Sequence, residues 1–382
     1  MERDTTKSKS PVVVAMSGGV DSCAAAIILA EQGHPIIGVS MQVWDYRKNG
    51  GNAARATCCA PSDFDDARHI AHTYNFPFYV FDFEDSFYEN VISPFVNSYL
   101  EGYTPNPCMD CNRKVKFNEL RVRAKSLGYN TVATGHYAQV KKLPNNKLGL
   151  FTSADCGKDQ SYFLYAMTQH DLEHTLFPVG GMQKSEVRNY LQSRGLKVAS
   201  KPESQDICFI GSTVGEFIQQ ETDLGKIGNT TNGSKTTKGG KITDSGGNVL
   251  GEHGGIHNFT VGQRRGIGLS AESPLYVINI DAGTNEVQVG PKQDLQRENF
   301  TVRDVNWISG EVPAHPVTAN VKLRYRHPGV ECKIEPLNAE SAKISFVNDW
   351  SSVSPGQAAV FYSTELDADG SLQVIGGGII NK

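Results

Sequence analysis

The sequence predicts an α/β chain: an N-terminal doubly wound parallel sheet over residues 1–210, a small β-rich middle domain at 211–292 and a C-terminal β-barrel at 293–382. Three observations predict it. Up to about residue 210, short apolar runs alternate with helical patterns, as in a parallel sheet covered on both faces. After Phe209 the texture changes, and residues 225–257 are rich in Gly, Thr, Ser, Asn and Lys, with no helical periodicity. From Asn299 onward, strand-like alternation is punctuated by turns, as in a small barrel or sandwich.

The elements follow in order. Val12–Ala15 is a β-branched run and the first strand. A helix over Val20 to Gln32 ends at Gly33, which suits the left-handed position after a helix. Ile36 to Met41 reads as the second strand, with Met41 at its C-terminal end, where open α/β sheets bind nucleotides. Ser62 to Tyr74 reads as a helix, with Ser62 and Asp65 spaced as a capping box. A strand at Phe78–Phe81 precedes a long helix from Ser86 to Leu100 that Pro94 disturbs. A basic helix spans Lys114 to Ser126 and stops at Gly128, and the strand Asn130–Thr134 runs into a second turn, Gly135-His136-Tyr137. Later strands are expected at 275–280, 287–289, 317–325, 342–347 and 358–362, with a flexible loop near Asn229 to Gly240.

Composition narrows the function. With 39% hydrophobic and 20% charged residues and a net charge of −4, this is an ordinary globular composition, not that of a protein that coats nucleic acid. The polar first ten residues and the absence of long apolar stretches suggest neither a secretion signal nor a membrane span, so a cytoplasmic enzyme is expected. Eight cysteines in 382 residues do not make a disulfide scaffold. Cys23 sits among alanines as a small core residue, Cys156 and Cys332 carry no evident chemistry, and the adjacent Cys58 and Cys59 are ambiguous.

The strongest chemical signal is Ser17-Gly18-Gly19-Val20-Asp21-Ser22, between the first strand and the first helix. Glycines let the backbone take positive φ and approach a ligand, while the helix aims its N–H groups and positive dipole end at the same place. Ser17 and Ser22 add hydroxyls, and Asp21 can hold magnesium or cap the turn. No lysine follows the glycines, so this is not a Walker loop. It resembles the PP-loop of enzymes that cleave ATP between the α and β phosphates, on a Rossmann-like sheet; the bland alternative is an ordinary βα turn with an N-cap.

Two further stretches carry thiols. Asn106-Pro107-Cys108-Met109-Asp110-Cys111-Asn112 opens the basic helix, and six cations face two acids between Asn106 and Lys125. A thiol at such a helix start has a raised thiolate fraction, and the cationic face can follow an RNA backbone. A zinc half-site or a redox C-x-x-C are the competing readings. Ser204-Gln205-Asp206-Ile207-Cys208-Phe209 places an isolated cysteine at the end of the α/β region. Cys111 and Cys208 together suit sulfur transfer, since thiolate attack on a persulfide ends in a disulfide. Lys158-Asp159-Gln160 is polar enough to read a base edge, or is simply a helix start.

These residues resemble the bacterial-type tRNA-specific 2-thiouridylases over almost the whole chain. The resemblance rests on Ala15 to Ser22, Thr104 to Pro107, Cys111-Asn112, Lys116-Phe117, Ala133 to Tyr137, Lys158 to Gln160, Ile207 to Ile210, Thr260 to Gly266 and Pro355-Gly356-Gln357. It implies an ATP- and magnesium-dependent sulfurtransferase that makes 2-thiouridine at the tRNA wobble position. Ala15, Met16, Ser17, Gly18, Gly19, Val20, Asp21, Ser22, Met41 and Gly135 would hold ATP. Cys208 would carry the persulfide, delivered by a cysteine desulfurase or relay protein, and Cys111 would be its partner. Asn106, Pro107, Cys108, His136, Lys158, Asp159 and Gln160 would surround the target uridine, and Arg324, Tyr325 and Gln357 would contact the tRNA. Cys108 stands where many members carry Asp, so Cys108, Cys111 and Cys208 also form a three-thiolate set for an iron–sulfur cluster, the minority reading. The rivals are another adenylating PP-loop enzyme (an amide-forming synthetase or a tRNA lysidine synthetase) and a non-catalytic RNA-binding protein.

Overall fold

The computed structural model describes residues 9–45, 61–203, 207–225, 237–348 and 351–382. Cys58, Cys59, Ser204, Gln205, Asp206 and most of the Asn229 to Gly240 loop lie outside these residues. The chain divides into two compact units, each assembled from separate segments.

The first unit comprises residues 1–88, 108–209 and 366–374. Its centre is a five-stranded sheet. β1 (Val12–Ala15) leads through α1 (Val20–Glu31) to β2 (Ile36–Gln42), and α2 (Pro61–Thr73) leads to β3 (Phe78–Asp82). β4 (Thr131–Thr134) follows, then a hairpin of β5 (Ala138–Lys142) and β6 (Leu148–Thr152), then β7 (Thr175–Leu176). The sheet order is β3-β2-β1-β4-β7 with parallel pairing throughout, Val12 facing Ile36 on one side and Thr131 on the other. The order reverses at β1, so the C-terminal ends of β1 and β4 form the switch point at which such sheets bind ligands. α1 is alanine-rich and buried on most sides, in a core with β1, β2 and the helix Lys184–Gln192. It ends as expected: Gly33 takes φ +83° and His34 N–H donates to the Leu29 carbonyl.

Three local expectations need correction. α2 starts at Pro61, which suits a first helical position, so Ser62 lies inside the helix and is no cap. The long helix begins at Glu84, and a widened π-type turn at Tyr88–Ile92 precedes Pro94, whose ring and missing N–H do not fit a regular turn. The basic helix begins at Pro107, and a π-helical stretch, Cys111–Glu119, carries half of its cations before the α-helical Leu120–Ser126 carries the rest.

The second unit comprises residues 89–107, 210–365 and 375–382. Its first element after Phe209 is a helix, Val214–Asp223, which the sequence reading of a β-rich stretch did not single out. The signal was present: Thr213 and Glu216 form a capping box. Next come β8 (Gly240–Thr243), β9 (Val249–His253), β10 (Tyr276–Asp281) and β11 (Glu286–Gly290), ordered β10-β11-β8-β9 around Ile242, Val277, Val287 and Val289. β12 (Gln296–Arg297) then leads to β13 (Asn299–Trp307), β14 (Val317–Lys322), β15 (Val330–Pro336) and β16 (Ser341–Phe346). β17 (Ser351–Ser352), β18 (Ala358–Leu366) and β19 (Leu372–Ile380) complete the chain. Six strands, β13-β16-β15-β14-β18-β19, close into a barrel through the β13–β19 pairing, around Val302, Val321, Ile344 and Phe361. Arg324 and Tyr325 fall in the turn after β14, beyond the strand predicted to include them.

Candidate active site

The Ser17–Ser22 turn sits at the switch point. Gly18 takes φ +70°, and a Cβ there would lie 2.0 Å from the Asp63 carbonyl oxygen at the start of α2. Gly19 is the N-cap of α1 without a side-chain cap, so the first N–H groups of the helix are left for another acceptor. The hydroxyls stiffen the turn: Ser17 N–H donates to Ser22 Oγ at 3.1 Å, and Ser22 Oγ donates to the Gly19 carbonyl at 3.2 Å. Gly135, at the end of β4, abuts the same helix start; a Cβ there would stand 2.5 Å from Ser22 N. Met16 is buried, donates its N–H to Val39 and packs beneath Gly38, so its side chain is core. Met41 is partly exposed near the C-terminal end of β2.

Around this turn runs an ionic network that the sequence reading did not single out. Tyr137 Oη donates to Asp21 Oδ1 at 2.8 Å, and Lys184 Nζ donates to both Asp21 oxygens at 2.7 and 2.8 Å. Lys184 also meets Glu203 at 3.2 Å, and Glu203 accepts from Lys158 at 2.7 Å. Burial alone would raise the Glu203 carboxyl, but Lys158 and Lys184 hold it below the usual carboxylate range. Burial, then the Asp21 charge, pushes the Tyr137 phenol above its ordinary range. On the other flank, Lys201 Nζ donates to the Gly18 carbonyl at 3.1 Å and bridges Asp63 and Asp66 of α2. Only spacing in three dimensions brings residues 21, 137, 158, 184 and 203 together.

The thiols lie on elements tied to one short helix. Cys108 is exposed, whereas Cys111 and Cys208 are partly buried. Ser86, in the helix Glu84–Phe87, hydrogen-bonds Glu119 at the far end of the Cys111 stretch. Phe87, its neighbour, packs edge-on against Phe209 at 5.7 Å, beside Cys208. Cys23 and Cys332 are buried, and burial pushes both thiols up to about 12, as befits inert core residues. Among the described residues the one grouping of three side chains close enough to share a single metal ion is His170, Glu173 and His174, largely exposed. Much of the basic helix is engaged locally: Arg113 and Lys114 pair with Asp110, Arg121 with Asp171 and Arg123 with Glu119.

The remaining expected contacts divide by unit. In the first, His136 packs against Phe117 and Phe177 at 6.0 Å each and lies 2.7 Å from Thr134 Oγ1. Burial, helped by the Lys116 cation, holds its imidazole well below the usual histidine range, so it is neutral near pH 7. Asp159 turns inward: its carboxylate accepts from Ser153 N–H, Ser161 N–H and Ser161 Oγ. Gln160 is bonded to Tyr137 through both backbone and side chain. In the second unit, Gln357 Nε2 donates to the Thr104 carbonyl at 2.6 Å, two residues before Asn106. Gly356, at φ +91°, presses on Thr104 N, and Thr104 also meets Thr260 of the Gly-Gln-Arg-Arg loop at 3.2 Å. Arg264, Arg265 and Arg324 are exposed.

Comparison with known proteins places this geometry. Residues 10–212 match the tRNA methyl transferase HUP domain, 231–291 the tRNA methyl transferase PRC-barrel domain and 297–380 the aminomethyltransferase beta-barrel domain. The tRNA-specific 2-thiouridylase MnmA of Geotalea uraniireducens is 44% identical over 372 residues, 97% of this chain and 94% of that one. Its namesake in Geobacter metallireducens is 42% identical over 380 residues, 99% and 98% of the two chains, and that of Rickettsia typhi 43% identical over 373 residues, 97% and 98%. The chain belongs to the tRNA-specific 2-thiouridylase family.

Proposed function

We propose that this chain is an ATP-dependent tRNA-uridine 2-sulfurtransferase, with residues 1–210 carrying the chemistry and 211–292 and 293–382 gripping tRNA. A uracil carbonyl oxygen is a poor leaving group. Attack of O2 on the α phosphate converts it to an adenylate and releases pyrophosphate, whose charge the Ser17–Ser22 turn and the α1 N-terminus stabilise. Asp21 is the carboxylate placed to hold magnesium, which neutralises phosphate charge when bound. Its oxygens already bind a cation, the Lys184 ammonium, so the donor set fits.

Sulfur then displaces AMP from C2. Cys208 carries the outer sulfur as a persulfide, supplied by a desulfurase or relay protein. Cys111 attacks the inner sulfur of Cys208, a disulfide forms, and the released sulfur stays on the base; an external dithiol restores both thiols. Neutral His136, Lys158, Gln160, Asn106, Pro107 and Cys108 contact the uridine, and Arg324 and Tyr325 the tRNA. Asp159 and Gln357 act through the residues they hold. The single observation that carries this reading is the attachment of both thiol-bearing segments to Glu84–Phe87, in the unit that holds the glycine turn. Among the described residues no helix is long and apolar enough to cross a membrane, and we place the enzyme in the cytoplasm.

The test is incubation with unmodified tRNA, ATP, magnesium and a labelled sulfur source, followed by nucleoside analysis. Labelled 2-thiouridine, lost in Cys208→Ser, is the expected result. Its absence in both air and anaerobic buffer would refute the proposal, while thiolation that survives Cys208→Ser would refute the persulfide route.

A further inference from the structure

Lys184 is an unusual lysine. Its side chain is 11% exposed, yet it lies against two carboxylates and an aromatic ring: Asp21 on both oxygens, Glu203 at 3.2 Å and the Tyr137 ring at 5.6 Å. An ammonium so enclosed is costly unless its charge is used. The helix that carries it is fixed at its start, where Gln183 and Glu186 form a capping box and Lys184 N–H donates to Asp155 Oδ2. Only the flexible stem is left to move the charge. Lys201, the other lysine at the turn, is committed differently: it straps the Gly18 carbonyl to Asp63 and Asp66 of α2 and so serves the backbone.

Asp21 belongs to the glycine turn itself, at the first turn of α1. A polyphosphate seated there brings several negative charges next to the Asp21 carboxylate. Two consequences follow from Coulomb's law: the phosphate attracts the Lys184 ammonium, and it leaves Asp21 in need of a cation shared with the phosphate. We propose that Lys184 is a phosphate-binding residue for the nucleotide, and that in the nucleotide-free chain its ammonium occupies the cation position of Asp21, which it gives up when nucleotide and divalent metal arrive together. Glu203 and Tyr137 are then positioning residues, one for the ammonium and one for the carboxylate. The inference rests on the reading of the Ser17–Ser22 turn as an ATP site.

The experiment compares wild type, Lys184→Gln and Lys184→Arg by direct binding of ATP and of adenosine, and by Mn2+ titration followed by electron paramagnetic resonance without nucleotide. In Lys184→Gln, ATP binding should weaken about tenfold to a hundredfold, the span of one charge-assisted hydrogen bond, while adenosine binding stays within twofold. Mn2+ alone should bind Lys184→Gln several-fold more tightly than wild type, and Asp21→Asn should abolish that gain. Lys184→Arg should recover most of the ATP affinity. Equal ATP affinity in wild type and Lys184→Gln would overturn the inference while leaving the ATP site intact. So would parallel losses of ATP and adenosine in Lys184→Gln, which would mark the lysine as structural. Failure of wild type to bind ATP at all would remove the underlying site and the inference with it.

Discussion

Replacing Gly135 by alanine tests the phosphate turn with the smallest possible perturbation, one methyl group. The added Cβ would lie 2.5 Å from Ser22 N and 2.6 Å from the Asp21 carbonyl carbon, about 0.9 Å inside ordinary contact at 3.4 Å. Both of these atoms are backbone, so no flexible side-chain end can yield. Either α1 retreats from β4 by most of that distance or β4 shifts in the sheet; inserting a group into such a site costs about 1–3 kcal/mol. The retreat moves the helix N-terminus and the turn that aims its N–H groups. A misplacement near 1 Å is worth roughly a hundredfold in rate where geometry carries the catalysis. Gly135→Ala should therefore lower kcat/KM for ATP by about ten- to a hundredfold and lower Tm, measured by tRNA-dependent pyrophosphate release and by thermal unfolding. Because Gly135 has no positive φ, backbone strain cannot account for a loss. A variant with pyrophosphate release within twofold of wild type and unchanged Tm would refute the packing of Gly135 against α1.

Other outcomes follow from the same geometry. Cys111→Ser and Cys208→Ser should each abolish thiolation but retain tRNA-dependent pyrophosphate release, because activation uses the glycine turn and not the thiols; loss of both activities together would argue for a shared structural role. Gln357→Ala removes the bond to the Thr104 carbonyl. It should raise KM for tRNA by about fivefold, the worth of one ordinary hydrogen bond, with KM for ATP unchanged. His136 titrates well below the ordinary value of about 6.5 because burial disfavours its charge. The unfolded chain therefore binds the extra proton first, and this residue costs the fold stability as pH drops below about 6.5. The loss of urea stability between pH 7.5 and 5.5 should shrink in His136→Asn, and equal losses in the two proteins would exclude this contribution.

Local rules carried the sequence reading a long way. Val12–Ala15, the Ser17–Ser22 turn, Gly33 and the strand before Gly135 each declare themselves through residue type and spacing, and the sheet forms as those signals require. The same rules missed Thr213 with Glu216, an ordinary capping box obscured by the turn-rich sequence beyond it. Lys184, Lys201 and Glu203 were not legible at all. A lysine on an amphipathic helix reads as a solvated face, and nothing local says that the ammonium will meet Asp21, 163 positions away in sequence. Asp159 shows how a polar run stays ambiguous: it suggests a reader of a base edge or a helix start, and its carboxylate accepts from Ser153 and Ser161.

The interleaving of segments has a practical consequence for anyone dissecting the chain. Residues 366–374 belong to the first unit, where Gln373 and Val374 pair with Phe151 and Leu150, and Asp367 and Asp369 neutralise Lys141. A fragment truncated at residue 210 would expose the apolar margin of β6 as an unpaired edge and strand the Lys141 charge beside it. Such a piece should self-associate through that margin. A soluble excised fragment calls for grafting the 366–374 ribbon back through a short linker.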